Sequence, residues 1–291
     1  MQAEPFGPSF DNAKHEVVRL KLGAIGQPGW SPRLRRRFDY FTPDECYEAT
    51  MLRLVGRDTD WLDVGCGHAL FPSNEPLAEL LASRCRSLVG LDPSDNIDRN
   101  RFVHERAKCL LEEYRTDRRF DLVSLRMVAE HITDPSAAVE AFARLVRPGG
   151  RVVLYTVSKW SPASLLAGAT PMAFHHVAKR LLWRARAEDT FPTAYRMNTR
   201  AELARRLAGA GFSEENFFYL DDCRTLARWR ITAALELSLQ RALRAVGLRY
   251  PEVCLLGVYR LRSADGRPCR PGSGADRSDG GTGAKHGSER T

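Results

Sequence analysis

The sequence predicts an α/β fold in which a mostly parallel sheet of seven strands carries helices on both faces. Helical insertions are expected after the fifth strand and between the sixth and seventh. Three observations predict it. From residue 42 to 157, short apolar runs of strand length alternate with segments of helical apolar spacing. A glycine-rich turn, Gly65-Cys66-Gly67, directly follows the first run, and Pro148-Gly149-Gly150 stops the last helix of the series before a fifth run. Strands separated by helices pair in parallel through right-handed crossovers, which is the arrangement this rhythm requires.

In chain order, Thr42-Pro43-Asp44-Glu45 opens a helix as a capping box, and Tyr47, Met51, Leu54 and Val55 recur on its face. Trp61 to Val64 is the first strand. Leu77, Leu80 and Leu81 mark the next helix, Leu88 to Leu91 the second strand, Val103 to Cys109 a weaker third and Asp121 to Leu125 the fourth. Asp134-Pro135 starts a helix with Ala138, Phe142 and Leu145 on one face, and Arg151 to Val157 makes the fifth strand. The rhythm then breaks for a long, partly aromatic insertion at 158–198. Thr199-Arg200-Ala201-Glu202 opens a further helix that ends at Gly211. Asn216 to Leu220 and Val253 to Tyr259 are the sixth and seventh strands, separated by a helix from Leu226 to Val246.

Three regions follow from this pattern: an irregular basic N-terminal arm at 1–37, an α/β domain at 38–261 with a helical lid insertion at 158–198, and a disordered tail at 262–291. The tail is rich in Gly, Ser, Asp and Arg and lacks apolar periodicity. The formal charge of +8 resides mostly in the ends, with seven basic and three acidic residues in 1–37 and six and four in 262–291. A nearly neutral body weighs against nucleic acid as partner. Seven scattered cysteines form no CxxC pair, and the segment MQAEPFGPSF lacks the build of a signal peptide. No run reaches the roughly 18 apolar residues needed to span a bilayer. These features predict a cytoplasmic chain with reduced thiols.

A glycine turn between strand and helix lets backbone approach a ligand closely. Here Asp92 ends the next strand, 25 positions after Gly67, and a carboxylate there accepts from the hydroxyls of a ribose. The loop reads Asp63-x-Gly65-x-Gly67-x-Ala69, and the following helix begins late, after Phe71-Pro72. An acid two residues before the first glycine opposes a pyrophosphate and suits a cofactor bearing an ammonium and a sulfonium. The delayed helix also removes the usual phosphate site at a helix N-terminus. S-adenosylmethionine is favoured over a dinucleotide.

On these residues the chain resembles class I S-adenosylmethionine-dependent methyltransferases of the small-molecule type, whose sheet is Rossmann-like. WLDVGCGH resembles their glycine-rich motif and LVGLDPS their ribose-binding motif. FDLVSLRMVAEHITDP resembles the fourth strand with its loop, and LVRPGGRVVLYTV the fifth strand. The resemblance covers about 42–157 and, more loosely, 199–261. It implies that Asp63, Gly65, Cys66 and Gly67 hold the methionine part of the cofactor, Asp92 and Pro93 the ribose end, and that Met127 and Val128 face the methyl group. Ala69 stands where a third glycine is usual. Cys109-Leu110, then Glu112 and Glu113, stand where an adenine-contacting acid is expected.

Glu130-His131 lies just beyond the fourth strand, where ligands bind in open α/β sheets. One reading makes the pair catalytic, a base that removes a hydroxyl proton. The other makes His131 a brace for the helix at Asp134. Trp160, His175, Tyr195 and Arg196 are candidate acceptor-binding residues, and Asp221-Asp222-Cys223-Arg224 offers a second polar cluster; turn and capping roles compete for both. Tyr40 and Phe41 either cover the cofactor or pack on the sheet edge. No metal is expected, because no His, Cys or carboxylate cluster has ligand spacing and neighbouring His175 and His176 diverge by about 100° on a helix.

The expected activity is direct transfer of a methyl group to O, N or C of a small, apolar or aromatic acceptor. Two rivals stand beside it. An RNA methyltransferase is disfavoured by Leu125-Arg126-Met127-Val128, which lacks an Asn- or Asp-Pro-Pro-aromatic motif. A non-catalytic cofactor-binding protein is the rival from another class. Peripheral membrane contact through a basic helix around Lys179, Arg180, Arg184 and Arg186 ranks last.

Overall fold

Residues 61–64 are too few for a surface helix and apolar on alternate sides, and they form β1 (Asp60–Val64), buried on both faces. The computed structural model describes residues 8–23, 29–161, 193–224, 226–248 and 250–263. Around β1 stand β2 (Ser87–Leu91), β3 (Glu105–Ala107), β4 (Phe120–Arg126), β5 (Val146–Val157), β6 (Phe212–Asp221) and β7 (Glu252–Leu261). They form one sheet in the order β3-β2-β1-β4-β5-β7-β6. The strands from β3 to β5 are parallel. β7 runs antiparallel between β5 and β6.

Alternation in the strands sends side chains to two cores. Trp61, Leu88, Leu122 and Val153 pack on one face with Met51, Leu77 and Leu81. Leu62, Val123, Val152 and Leu154 pack on the other with Ala138, Phe142 and Leu203. The first face is covered by α3 (Pro43–Leu54) and α4 (Glu75–Arg84), the second by α5 (Pro135–Leu145) and α6 (Arg200–Gly209). Caps set where these helices start. In α3, Thr42 Oγ1 accepts from the Glu45 amide at 3.3 Å and Glu45 Oε2 accepts from the Thr42 amide at 2.8 Å. Asp134 Oδ1 accepts from the Ser136 and Ala137 amides of α5, and Thr199 Oγ1 from the Glu202 amide of α6.

The N-terminal arm is not irregular. Residues Pro8–Leu22 form α1 and Trp30–Arg37 form α2. Phe10, Ala13 and Val17 follow helical spacing and are buried in the first core, which makes α1 part of that layer. The many charged residues of α1 hide this narrow stripe when composition alone is read. Leu34 of α2 joins Tyr40, Cys223, Ala233 and Leu237 in a small third cluster, against α7 (Arg230–Ala245). Tyr40 sits there as well: its hydroxyl donates to the Asp221 carbonyl at 3.0 Å and accepts from the Cys223 amide at 2.8 Å. It packs at the sheet edge and does not cover the glycine loop. The expected lid, His175 included, falls mostly on 162–192, and the expected tail on 264–291; both lie outside the described residues.

Candidate active site

After β1 the chain turns to β2 and β3 on one side, and β4 and β5 lie on the other. The crevice at the C-terminal ends of β1 and β4 is therefore the switch point of the sheet, where open α/β folds bind ligands. Asp63 reaches this end of β1 and is buried. Its Oδ1 accepts from Ser124 Oγ of β4 at 2.5 Å, and Ser124 Oγ accepts from Trp61 Nε1 at 2.7 Å. Burial pushes the Asp63 carboxyl up to about 7, with Ser124 and Arg126 pulling the other way. The motif thus holds a carboxyl whose charge is costly until a cation arrives.

The glycines are required by shape. Gly65 and Gly67 have φ of +69° and +48°, a region that side chains with a Cβ disfavour. A Cβ on Gly65 would lie 2.2 Å from Val128 Cγ2, whereas one on Gly67 would meet nothing within 4 Å. Open space over Gly67 is what a cradle for a ligand needs. Asp92, at the end of β2, is 7 % exposed. Its Oδ2 accepts from the Gly67 amide at 2.9 Å, and its Oδ1 from the amide and hydroxyl of Ser94 at 2.8 and 2.6 Å. Two carboxylate oxygens have about four acceptor positions, so Oδ2 retains one for a ribose hydroxyl. These residues fit S-adenosylmethionine: a strand-end acid, an open positive-φ glycine and a second acid buried beside them.

Other sequence-predicted residues divide. Cys66 is buried below the loop, where a Cβ on Gly90 would lie 2.8 Å from its Sγ. Its side chain is packing, and its carbonyl is held by Asn100 Nδ2 at 3.2 Å, as is the Gly67 carbonyl at 3.1 Å. Pro93 is exposed. Met127 has a φ of +54°, held by its amide donating to the Tyr155 carbonyl at 2.7 Å. Val128 closes against Gly65.

Glu130 and His131 part company. Glu130 is 4 % exposed and its Oε2 accepts from Thr156 Oγ1 at 2.6 Å. Thr156 Oγ1 also accepts from Asn198 Nδ2 at 2.8 Å. Burial raises the Glu130 carboxyl above the usual range. The Glu130 carbonyl accepts from the amides of Ala194 at 2.7 Å and Tyr195 at 3.2 Å. Glu130 is tied inward to Thr156, while His131 stays half-buried in the turn after β4. Tyr195, with φ +49°, is joined to this tie through its backbone, and Arg196 Nη1 donates to the Thr133 carbonyl at 2.7 Å. Trp160 is 66 % exposed.

Between α3, the loop after β1 and the end of β4 lies a cavity of about 220 Å³ that motif reading missed. Asp44, Tyr47 and Glu48 of α3 line one side, Phe71 and Ser73 of the loop another, and Arg126 and Arg224 the third. Arg224 lies 3.3 Å from Asp44 Oδ2 and Arg126 3.9 Å from Asp44 Oδ1. Burial pushes Glu48 up to about 7, opposed by Lys21 and by a 2.9 Å bond from Asn74 Nδ2. Acids and guanidiniums facing one small space complement an amino-acid zwitterion. The signal in the sequence was weak: acids on a capped helix read as ordinary first-turn charges.

Sheet order, switch-point crevice and glycine cradle define a class I, Rossmann-like methyltransferase. A family model described as a methyltransferase domain matches residues 33–215, and the chain belongs to that family. Its glycine loop and Asp92 fit S-adenosylmethionine as the methyl donor. Over 115 residues it is 36 % identical to a ubiquinone biosynthesis O-methyltransferase of Alkalilimnicola ehrlichii, covering 36 % of this chain and 44 % of the relative. A protein of the same name from Rhizobium etli is 33 % identical over 115 residues, with the same coverage. The match thus spans less than half the length of these curated relatives. The N-methyltransferase NodS of Bradyrhizobium japonicum WM9, solved with S-adenosyl-L-homocysteine, covers 87 % of this chain and all of its own, at 17 % identity and a TM-score of 0.45. An S-adenosylmethionine-dependent methyltransferase of Mesorhizobium loti gives 22 % identity and a TM-score of 0.48, covering 77 % of this chain and 99 % of its own. Among the described residues no group of three or more His, Cys, Asp or Glu is placed to hold a metal, and no helix is long and apolar enough to cross a membrane.

Proposed function

We propose that this enzyme methylates a small, apolar or aromatic acceptor, with residues 38–261 as the transferase unit and α1 as part of its wall. S-adenosylmethionine supplies a methyl group on a sulfonium, already electrophilic, so the protein's task is mainly in-line positioning. Asp92 and the Gly67 loop bind the ribose end. Arg126 and Asp44 hold the amino-acid end at the 220 Å³ cavity, and Asp63, buried at the end of β1, faces the cofactor's positive charge. Met127 and Val128 bound the space on the acceptor side, and His131 takes the acceptor's proton when the nucleophile is a hydroxyl.

The observation that carries the acceptor side is the Glu130–Thr156–Asn198 tie, which draws residues 194–198 onto the turn that bears Met127 and His131. Tyr195 then belongs to the same wall. Relatives named as O-methyltransferases support a small hydroxylated acceptor. The test is turnover on a panel of phenols, catechols and hydroquinones beside a small RNA, with the His131→Gln variant in parallel. Transfer to a phenolic hydroxyl, with kcat lowered at least about tenfold in the variant and cofactor affinity unchanged, is expected. Transfer to RNA alone, or an unaltered variant, would sink the proposal.

A further inference from the structure

Helix α7 (Arg230–Ala245) is apolar on two opposite faces. Its inner face buries Ala233 and Leu237, with Glu236 and Gln240 beside them, against α2 and the β6 end. Glu236 is consumed internally: its Oε2 accepts from the Leu226 amide and its Oε1 from Tyr250. The outer face carries Ile231 at 76 %, Leu235 at 64 % and Leu239 at 54 % exposure, and Val246 continues the line just past the helix at 70 %. At about 100° per residue these four fall within an arc of roughly 80°, so they form one ridge about 22 Å long. Trp229 at the head of the helix adds a 63 % exposed ring. Single exposed leucines need no explanation, but a continuous ridge opposite an anchored face does.

The ridge is flanked by one sign of charge. Arg228, Arg230 and Arg241 are exposed beside it. The sole acid of 226–248 is the buried Glu236. A second copy docking here in two-fold fashion would bring basic rim onto basic rim. Residues 162–192, with four basic and two acidic side chains, carry the same sign. An apolar ridge with a Trp at its end and arginines along its sides matches a surface that is negative outside and apolar beneath.

We infer that the outer face of α7, with Arg228, Arg230 and Arg241, docks the enzyme on an anionic lipid bilayer, the Ile231–Val246 ridge entering the headgroup boundary. This surface is independent of what the active site methylates.

The test is flotation of the full chain with vesicles of phosphatidylcholine alone and of phosphatidylcholine containing about a third phosphatidylserine. Binding to the anionic vesicles is expected, about tenfold weaker on neutral ones and weakened again by about 0.5 M salt. The double variant Leu235→Ser/Leu239→Ser should lose at least about tenfold in binding, and Arg230→Gln/Arg241→Gln a comparable amount, with unchanged thermal unfolding midpoints because all four positions are exposed. A variant that unfolds is replaced by Leu235→Gln alone, read against the wild type's salt dependence. Absent binding, equal binding to both vesicles, or binding that survives the ridge variants overturns the inference. So does a sedimentation-detected dimer that the ridge variants split, which would assign the face to a second copy.

Discussion

Val128 Cγ2 occupies the space that a Cβ on Gly65 would take, at 2.2 Å. The loop after β1 and the turn after β4 are therefore fitted to one another, and the crevice keeps its shape because the glycine has no side chain. The φ of +69° at Gly65 is a second constraint on the same residue.

Gly65→Ala is expected to destabilise the fold by about 2–4 kcal/mol and to weaken S-adenosylmethionine binding at least about tenfold. Adding Val128→Ala should return part of the loss, because it removes the clash and leaves the φ strain. Urea denaturation of the two single variants and the double variant measures the coupling. Additive losses would mean that the contact is not what holds the loop.

Asp92→Ala should raise the cofactor's dissociation constant about ten- to a hundredfold, the worth of a charge-assisted hydrogen bond. Asp92→Asn should fall between, since it keeps an acceptor for the Gly67 amide. Titration calorimetry reads both. Unchanged affinity in the alanine variant would remove the ribose role.

Asp63 and Glu48 both hold their protons to about pH 7 when folded, against about 4 when unfolded. The folded chain thus binds more protons across that window, so stability is fully present below about pH 4 and is lost as pH rises through 7. Between about pH 5 and about pH 8 the cofactor-free enzyme should lose on the order of 5 kcal/mol. Asp63→Asn should flatten that slope, and an undiminished slope in the variant would count against the assignment. Affinity for S-adenosylmethionine should rise over the same interval, as Asp63 ionises and meets the ammonium group.

Thr156→Val should cost about 2–3 kcal/mol, leaving the Glu130 carboxyl and Asn198 Nδ2 each short of a buried partner. Hydrogen exchange at the Ala194 and Tyr195 amides, which donate to the Glu130 carbonyl, should accelerate beyond the change in global stability. Equal protection in variant and wild type would show that the segment is held by other means.

Much of the candidate donor site was legible because it is local. Asp63, Gly65, Gly67 and Asp92 sit at strand ends that apolar runs locate, and their spacing carries the chemistry. Ser124, Asn100 and Thr156 were not legible, since each acts on residues that only the sheet register or a distant loop brings near. Ser124 meets Asp63 because β4 lies beside β1 in that register. Nothing in the word LVSLR marks it. The bond from Thr156 to Glu130 was equally hidden, since adjacency with His131 says nothing of which way each side chain turns. The direction of β7 was illegible for a simpler reason, because an alternating strand reads the same in either sense.

The placement of β7 between β5 and β6 has a consequence for how the protein is made. On the ribosome, β6 emerges before β7, and in the finished sheet it pairs only with β7. Until β7 clears the exit tunnel, β5 shows an unsatisfied edge and β6 lacks the strand it pairs with among the described residues. Nascent chains of this enzyme thus pass through a stage with open strand edges, the condition under which strands of neighbouring chains pair wrongly and chaperones are recruited.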